Sequence, residues 1–170
     1  MRGSSKIVTV IQGEFSISAD PDVTLTTVLG SCISVCLFDP FRKVGGMNHF
    51  LLATSRNDQK GDLKYGVHAM ELLINHLLHA GASRQDLLAK VFGGARMLEH
   101  SGDIGRTNAS FALDFLDKEG ITCLAQSVGG TSARRIRFHP TSGAAQQMQV
   151  KTAVRETPVP VAPKADVTLF

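Results

Sequence analysis

Tryptophan is absent from this 170-residue chain and tyrosine occurs once. Little aromatic residue is therefore available to stack bases, and a formal charge of +3 is too slight for an electrostatic footprint on nucleic acid. Nucleic acid is thus not an expected partner; so small a basic excess mildly favours an acidic protein partner. Cysteine is scarce as well. Cys32, Cys36 and Cys123 are odd in number and form no Cys-x-x-Cys pair, which argues against a disulfide framework and for a reducing compartment. No apolar run is long enough to span a bilayer, and no signal-peptide pattern opens the chain. The expectation is a cytoplasmic protein without membrane insertion.

What is present fits one globular domain: 43% of the residues are hydrophobic, enough for a core without disulfides. Residues 1–5 read as a disordered polar start, 6–152 as the folded domain and 153–170, with Pro158, Pro160 and Pro163, as a flexible tail. Residues 6–11 are apolar on both faces and predict a central strand. Further strands are expected at 14–18, 23–29, 33–38, 44–52, 89–92, 121–128, 134–138 and 147–152, with a surface loop at 55–65. Val67, Met70, Leu73, Ile74, Leu77 and Leu78 recur at helical spacing and predict a helix over 67–80, stopped by Gly81. A short helix is expected over 84–88. A second main helix over 108–118 has Thr107 or Asn108 as its cap. Early strands that pair as hairpins predict an α/β single-domain layered sandwich with mixed, largely antiparallel strands and two main helices.

The chemistry concentrates around Leu29-Gly30-Ser31-Cys32. Ile33, Val35 and Leu37 alternate with Cys32, Ser34, Cys36 and Phe38, and Asp39-Pro40 is turn chemistry. A four-residue loop over 39–42 sets Phe38 opposite Lys43 and Cys32 opposite His49, with Cβ atoms roughly 4.5–5.5 Å apart. A one-residue slip would send His49 to the other face. A thiol beside an imidazole can lose its proton and attack a carbonyl, and a third polar group normally fixes the imidazole tautomer. Thr24, Thr26, Thr27 and Asn48 are near enough in sequence to serve. Gly30 leaves backbone bare beside Cys32, where a substrate can approach and N–H groups can meet an oxyanion. Against this stands the ordinary fate of a lone cysteine, a small buried apolar residue.

Other features are weaker. Gly93-Gly94 lacks the spacing of a phosphate loop and is expected, with Gly102 and Gly105, to shape a cleft. His76 and His79 have no third ligand at recognisable spacing, so no metal is expected. Of Arg134, Arg135 and Arg137, the last two fall on one strand face. That face is read as solvated rather than as a dock for an acidic helix.

Thr26-x-x-Leu29-Gly30-Ser31-Cys32, Gly45-Gly46-Met47-Asn48-His49-Phe50-Leu51-Leu52, Phe92-Gly93-Gly94-Ala95 with Met97, Ile104-Gly105 with Asn108, and Gly129-Gly130 with Arg134 together resemble the CheD family of chemoreceptor glutamine deamidases. The resemblance covers residues 6–152, with Ala53 departing where many members carry proline. It implies a layered α/β sandwich and a Cys-His-Thr set formed by Cys32, His49 and Thr26. Gly30, Ser31, Asn48, Gly93, Gly94 and Asn108 are the expected substrate contacts. It further implies hydrolysis of glutamine side chains on methyl-accepting chemotaxis receptors through a thioester, without a cofactor, and a CheC-type phosphatase as a second partner. The alternatives are another thiol hydrolase, such as a receptor methylesterase, or a non-catalytic chemotaxis adaptor.

Overall fold

The computed structural model describes residues 3–52, 59–97, 103–151 and 167–170. Among these residues ten strands form two five-stranded sheets, with two α-helices outside one of them. The first sheet orders β1 (Lys6–Thr9), β3 (Val23–Leu29), β8 (Ala133–Phe138), β9 (Ala145–Val150) and β10 (Val167–Leu169). The second orders β2 (Phe15–Ser18), β5 (Val44–Asn48), β4 (Ile33–Asp39), β6 (Leu88–Gly93) and β7 (Thr122–Val128). Helices α1 (Gln59–His79) and α2 (Ile104–Lys118) pack on the second sheet. Among the described residues only β1/β3 and β6/β7 pair in parallel. The layered, largely antiparallel α/β sandwich expected from the sequence is the one observed.

Alternation along β4 builds two cores. Ile33, Val35 and Leu37 join Met70, Leu73, Ile74 and Leu77 of α1 and Ala112, Phe115 and Leu116 of α2. Cys36 and Phe38, with Met47 and Phe92, face Leu25, Leu29, Ile136 and Phe138 of the first sheet. A single strand thus supplies both layers, because successive side chains leave a strand on opposite faces.

Several expectations are corrected. Residues 6–9 form an edge strand, not a central one: β1 pairs with β3, all four residues are exposed, and Ile7 remains 61% exposed. The β4–β5 register differs by two residues from the one expected, with Asp39 opposite Val44 and Cys36 opposite Met47. Asp39 causes this. Its carboxylate accepts the N–H groups of Phe41 and Arg42, its carbonyl accepts that of Lys43, and Lys43 turns left-handed at φ 54°. The loop therefore closes after Lys43 rather than Arg42. A two-residue shift preserves the face of every side chain.

Both main helices start earlier than the periodicity suggests. The N-terminal part of α1 runs through the expected surface loop, and Gly66 lies so close to Phe111 that a Cβ there would meet its ring at 2.7 Å. A glycine at this position permits the close approach of the two helices. In α2 the cap is Asp103, so Asn108 lies inside the helix and is fully buried. The short helix is a 3-10 turn at Arg84–Asp86. The end of the expected tail forms β10, and the Phe170 ring packs edge-on to Phe92 at 5.4 Å. Buried Lys90 donates to the Phe170 and Gly143 carbonyls, each at 2.7 Å. The rest of that expected tail lies outside the described residues. Arg135 and Arg137 are exposed while Arg134 is buried, in line with a solvated outer face.

Candidate active site

Cys32 ends the loop between β3 and β4, and that loop is held by all three of its carbonyls. Ala95 N–H donates to Gly30 O at 2.9 Å, Asn108 Nδ2 to Ser31 O at 2.8 Å and Gly94 N–H to Cys32 O at 2.8 Å. Gly93 sits against the same carbonyl, where a Cβ would come within 2.1 Å of it, and its φ of 117° suits glycine. With the carbonyls engaged, the N–H group of Ser31 has no acceptor among the described residues, and that of Cys32 lies against its own Sγ. Cys32 itself is half-buried, unlike the fully buried Cys36.

His49 lies just past β5 on the same sheet face as Met47, turned toward the first sheet. Its backbone is fixed by Gly13 N–H to His49 O at 2.8 Å and by His49 N–H to Glu14 O at 3.0 Å. Its Nδ1 faces Thr27 Oγ1 at 2.8 Å and Val10 O at 3.4 Å. Thr27 Oγ1 also lies 2.6 Å from Val10 O, and a carbonyl can only accept, so the hydroxyl proton goes there. Both oxygens near Nδ1 are then acceptors. This assigns the imidazole proton to Nδ1 and leaves the Nε2 lone pair free.

Burial raises the Cys32 thiol above its ordinary pKa and lowers that of the His49 imidazole, the latter against an opposing pull from the Val10 carbonyl. Both effects keep the two groups neutral at neutral pH. Among the described residues no hydrogen bond joins Cys32 to His49. The thiol is directed at Gln12 Oε1, 3.7 Å away, in the turn whose next residue, Gly13, bonds His49.

Thus Gly30, Ser31, Cys32, Gly93, Gly94 and Asn108 form one cluster, and His49 reaches it through the turn at Gln12-Gly13. Three expected roles change. Thr26 Oγ1 donates to Ile136 O at 2.8 Å, so the hydroxyl on the imidazole is that of Thr27. Asn48 points to the helices: its Oδ1 accepts Val35 N–H at 2.9 Å, and its Nδ2 lies 3.4 Å from Met70 Sδ. Asn108, also fully buried, accepts Leu52 N–H at 3.0 Å while holding Ser31 O, so both ends of its amide are engaged in bracing the loop. Gly30 is not bare either, since a Cβ there would lie 3.0 Å from Met97 Cγ.

Gln12 and Val10 were not expected at the site. Val10 contributes only a carbonyl, for which a sequence carries no signal. Thr27 was within reach of the alternation argument, because it shares parity with Leu25 and Leu29, whereas Thr26 shares parity with Val28, which is 47% exposed. Gly94, Arg96, Gly105, Arg106, Gly129 and Gly130 line a cleft of about 500 Å³; of the glycines expected to shape a cleft, Gly94 and Gly105 lie in its wall and Gly93 does not. Gly102 lies outside the described residues.

A family described as CheD chemotactic sensory transduction matches residues 51–149. A Ruegeria protein named probable chemoreceptor glutamine deamidase CheD 1 is 55% identical over 147 residues, covering 86% of this chain and 79% of that protein. An Agrobacterium fabrum protein named probable chemoreceptor glutamine deamidase CheD is 50% identical, covering 96% of this chain and 94% of its own length. One of that name from Caulobacter vibrioides is 48% identical over 96% of this chain and 92% of its own length. Among solved structures, the hypothetical protein YfiH of Bacillus licheniformis overlaps with a TM-score of 0.46 at 12% identity, over 73% of this chain and 60% of that one.

Proposed function

This chain belongs to the CheD family, and we propose that it hydrolyses glutamine side chains on methyl-accepting chemotaxis receptors to glutamate, with Cys32 as nucleophile and His49 as base. The observation that carries the reading is the pair of acceptors at His49 Nδ1, which frees Nε2 as a base, together with the Gln12-Gly13 turn that touches both His49 and the Cys32 thiol. The substrate class comes from the names of the relatives.

In the free protein thiol and imidazole are both neutral. Nε2 takes the thiol proton as sulfur bonds to the carboxamide carbon. The oxygen becomes an oxyanion, and the N–H groups of Ser31 and Cys32 are its candidate donors. The imidazolium, with its Nδ1 proton shared with Thr27 Oγ1 and Val10 O, passes its Nε2 proton to the departing nitrogen. Ammonia leaves and a thioester remains. Water then gives a proton to Nε2 and adds to the thioester. The carbon–sulfur bond breaks, glutamate is released, and the proton returns to sulfur.

The test is mass spectrometry of receptor peptides after incubation with the protein. The unaltered chain converts specific glutamines to glutamate, and Cys32→Ala does not. Conversion by Cys32→Ala at an undiminished rate overturns the assignment.

A further inference from the structure

The carboxamide in contact with the candidate nucleophile belongs to the chain itself. Gln12 is exposed, in the turn between β1 and β2, and its Oε1 lies 3.7 Å from Cys32 Sγ with the thiol as donor. Its side chain has no other hydrogen-bond partner among the described residues. The turn is held in place on both sides: Val10 N–H donates to Thr26 O at 2.9 Å, Gly13 N–H to His49 O at 2.8 Å and His49 N–H to Glu14 O at 3.0 Å. Backbone bonds that fix the base therefore also fix where Gln12 can reach.

We propose that Gln12 is an internal stand-in for the substrate, seated at the carboxamide position over Cys32 until a receptor glutamine displaces it. The proposal rests on the thiol reading above and deepens it. Gln12 carries the same functional group that the site is proposed to hydrolyse, so what favours an incoming carboxamide there also favours this one. The orientation is a waiting one. A thiol has a single proton, and while it is donated to Gln12 Oε1 it cannot be delivered to His49. Attack needs sulfur against the carbonyl carbon, with the oxygen turned toward N–H donors. Here the oxygen faces the sulfur, so Gln12 covers the nucleophile without being consumed. Competition from a pre-seated side chain lowers the apparent affinity for substrate by the fraction of time the site is occupied. For one weak S–H···O contact that is roughly two- to fivefold.

Alkylation by iodoacetamide, itself a primary carboxamide, tests this on the full chain, read residue by residue in peptide mass spectra. Gln12→Ala should label Cys32 about two- to fivefold faster than the unaltered chain and lower the KM for a receptor peptide by the same factor. Gln12→Met keeps the bulk without the carboxamide and should label as fast as Gln12→Ala. Equal rates for the unaltered chain and Gln12→Ala overturn the proposal, and so does a Gln12→Met protein as slow as the unaltered chain. His49→Ala separates the two readings. Slower Cys32 labelling in His49→Ala, with no effect of Gln12→Ala, removes the stand-in and keeps the thiol mechanism. An unaltered chain that labels Cys32 no faster than Cys36 and Cys123 removes both.

Discussion

The two faces of the sheet β2-β5-β4-β6-β7 are built to different ends. Toward the helices, Ile33, Val35, Leu37 and Phe50 meet Met70, Leu73, Ile74 and Leu77, and Asn48 is the polar exception, bonded to a strand N–H. Toward the first sheet the same strands carry Ser34, Cys36, Met47 and His49, and β3 answers with Thr27 among its leucines. One face is packed for stability. The other admits polar groups and, where β4 gives way to the Cys32 loop, opens to solvent. Cys32 and Cys36 make the point within one strand and its lead-in. Complete burial drives the Cys36 thiol far above its ordinary pKa, whereas Cys32 is half-buried and raised less. A reactive thiol needs the rim of a core, not its middle.

Substitutions can break this division. The largest effect is expected from His49→Ala, which should lower receptor deamidation by about 10²–10⁴-fold while leaving the urea midpoint closer to that of the unaltered chain than Leu73→Ala does. Next is Leu73→Ala on the helix face. It should cost about 2–5 kcal/mol in urea unfolding and leave the preference of iodoacetamide for Cys32 intact. If the two variants exchange phenotypes, the division of labour between the faces is wrong. Asn108→Ala bridges the regions. It strips a partner from both Ser31 O and Leu52 N–H, so it should cost about 1–3 kcal/mol and also slow deamidation, because the Cys32 loop loses its brace.

Smaller effects sharpen the site. Thr27→Val should slow deamidation about tenfold by releasing the imidazole tautomer, and Thr26→Val should slow it less. Equal losses would return the orienting role to Thr26. In the pH profile, burial lowers the His49 pKa, so the neutral base persists through neutral pH. The rate should stay level there and decline only on the acid side of the usual imidazole value of about 6.5. The sign for stability follows the same shift. Between the folded pKa and about 6.5 the unfolded chain binds more protons, so stability is lost as pH falls through that window. His49→Ala should flatten that part of the stability profile.

Much of this was legible in residue patterns. The period-2 alternation of β4 and the helical spacing of Val67 to Leu78 gave both faces of the central sheet and its main helix. What failed is instructive. The hairpin register turned on whether the loop closes after Arg42 or after Lys43, a choice made by side-chain hydrogen bonds and one left-handed residue. Asn108 looked like a cap because α2 begins earlier, without a side-chain cap at Asp103. Lys6 to Thr9 looked central because apolar residues on both faces cannot by themselves distinguish an edge from a middle.

The sequence by itself determined which residues point to which layer, since a covalent chain of L-residues fixes side-chain periodicity once strand or helix forms. It also marked Cys32 and His49 as the candidate nucleophile and base. Only the tertiary structure decided what surrounds them: Thr27 rather than Thr26 on the imidazole, the Val10 carbonyl beside it, Asn108 beneath the loop and Gln12 against the thiol. Those neighbours come from segments distant in the chain. Their meeting depends on register, loop closure and sheet order, which no local pattern of residue types encodes.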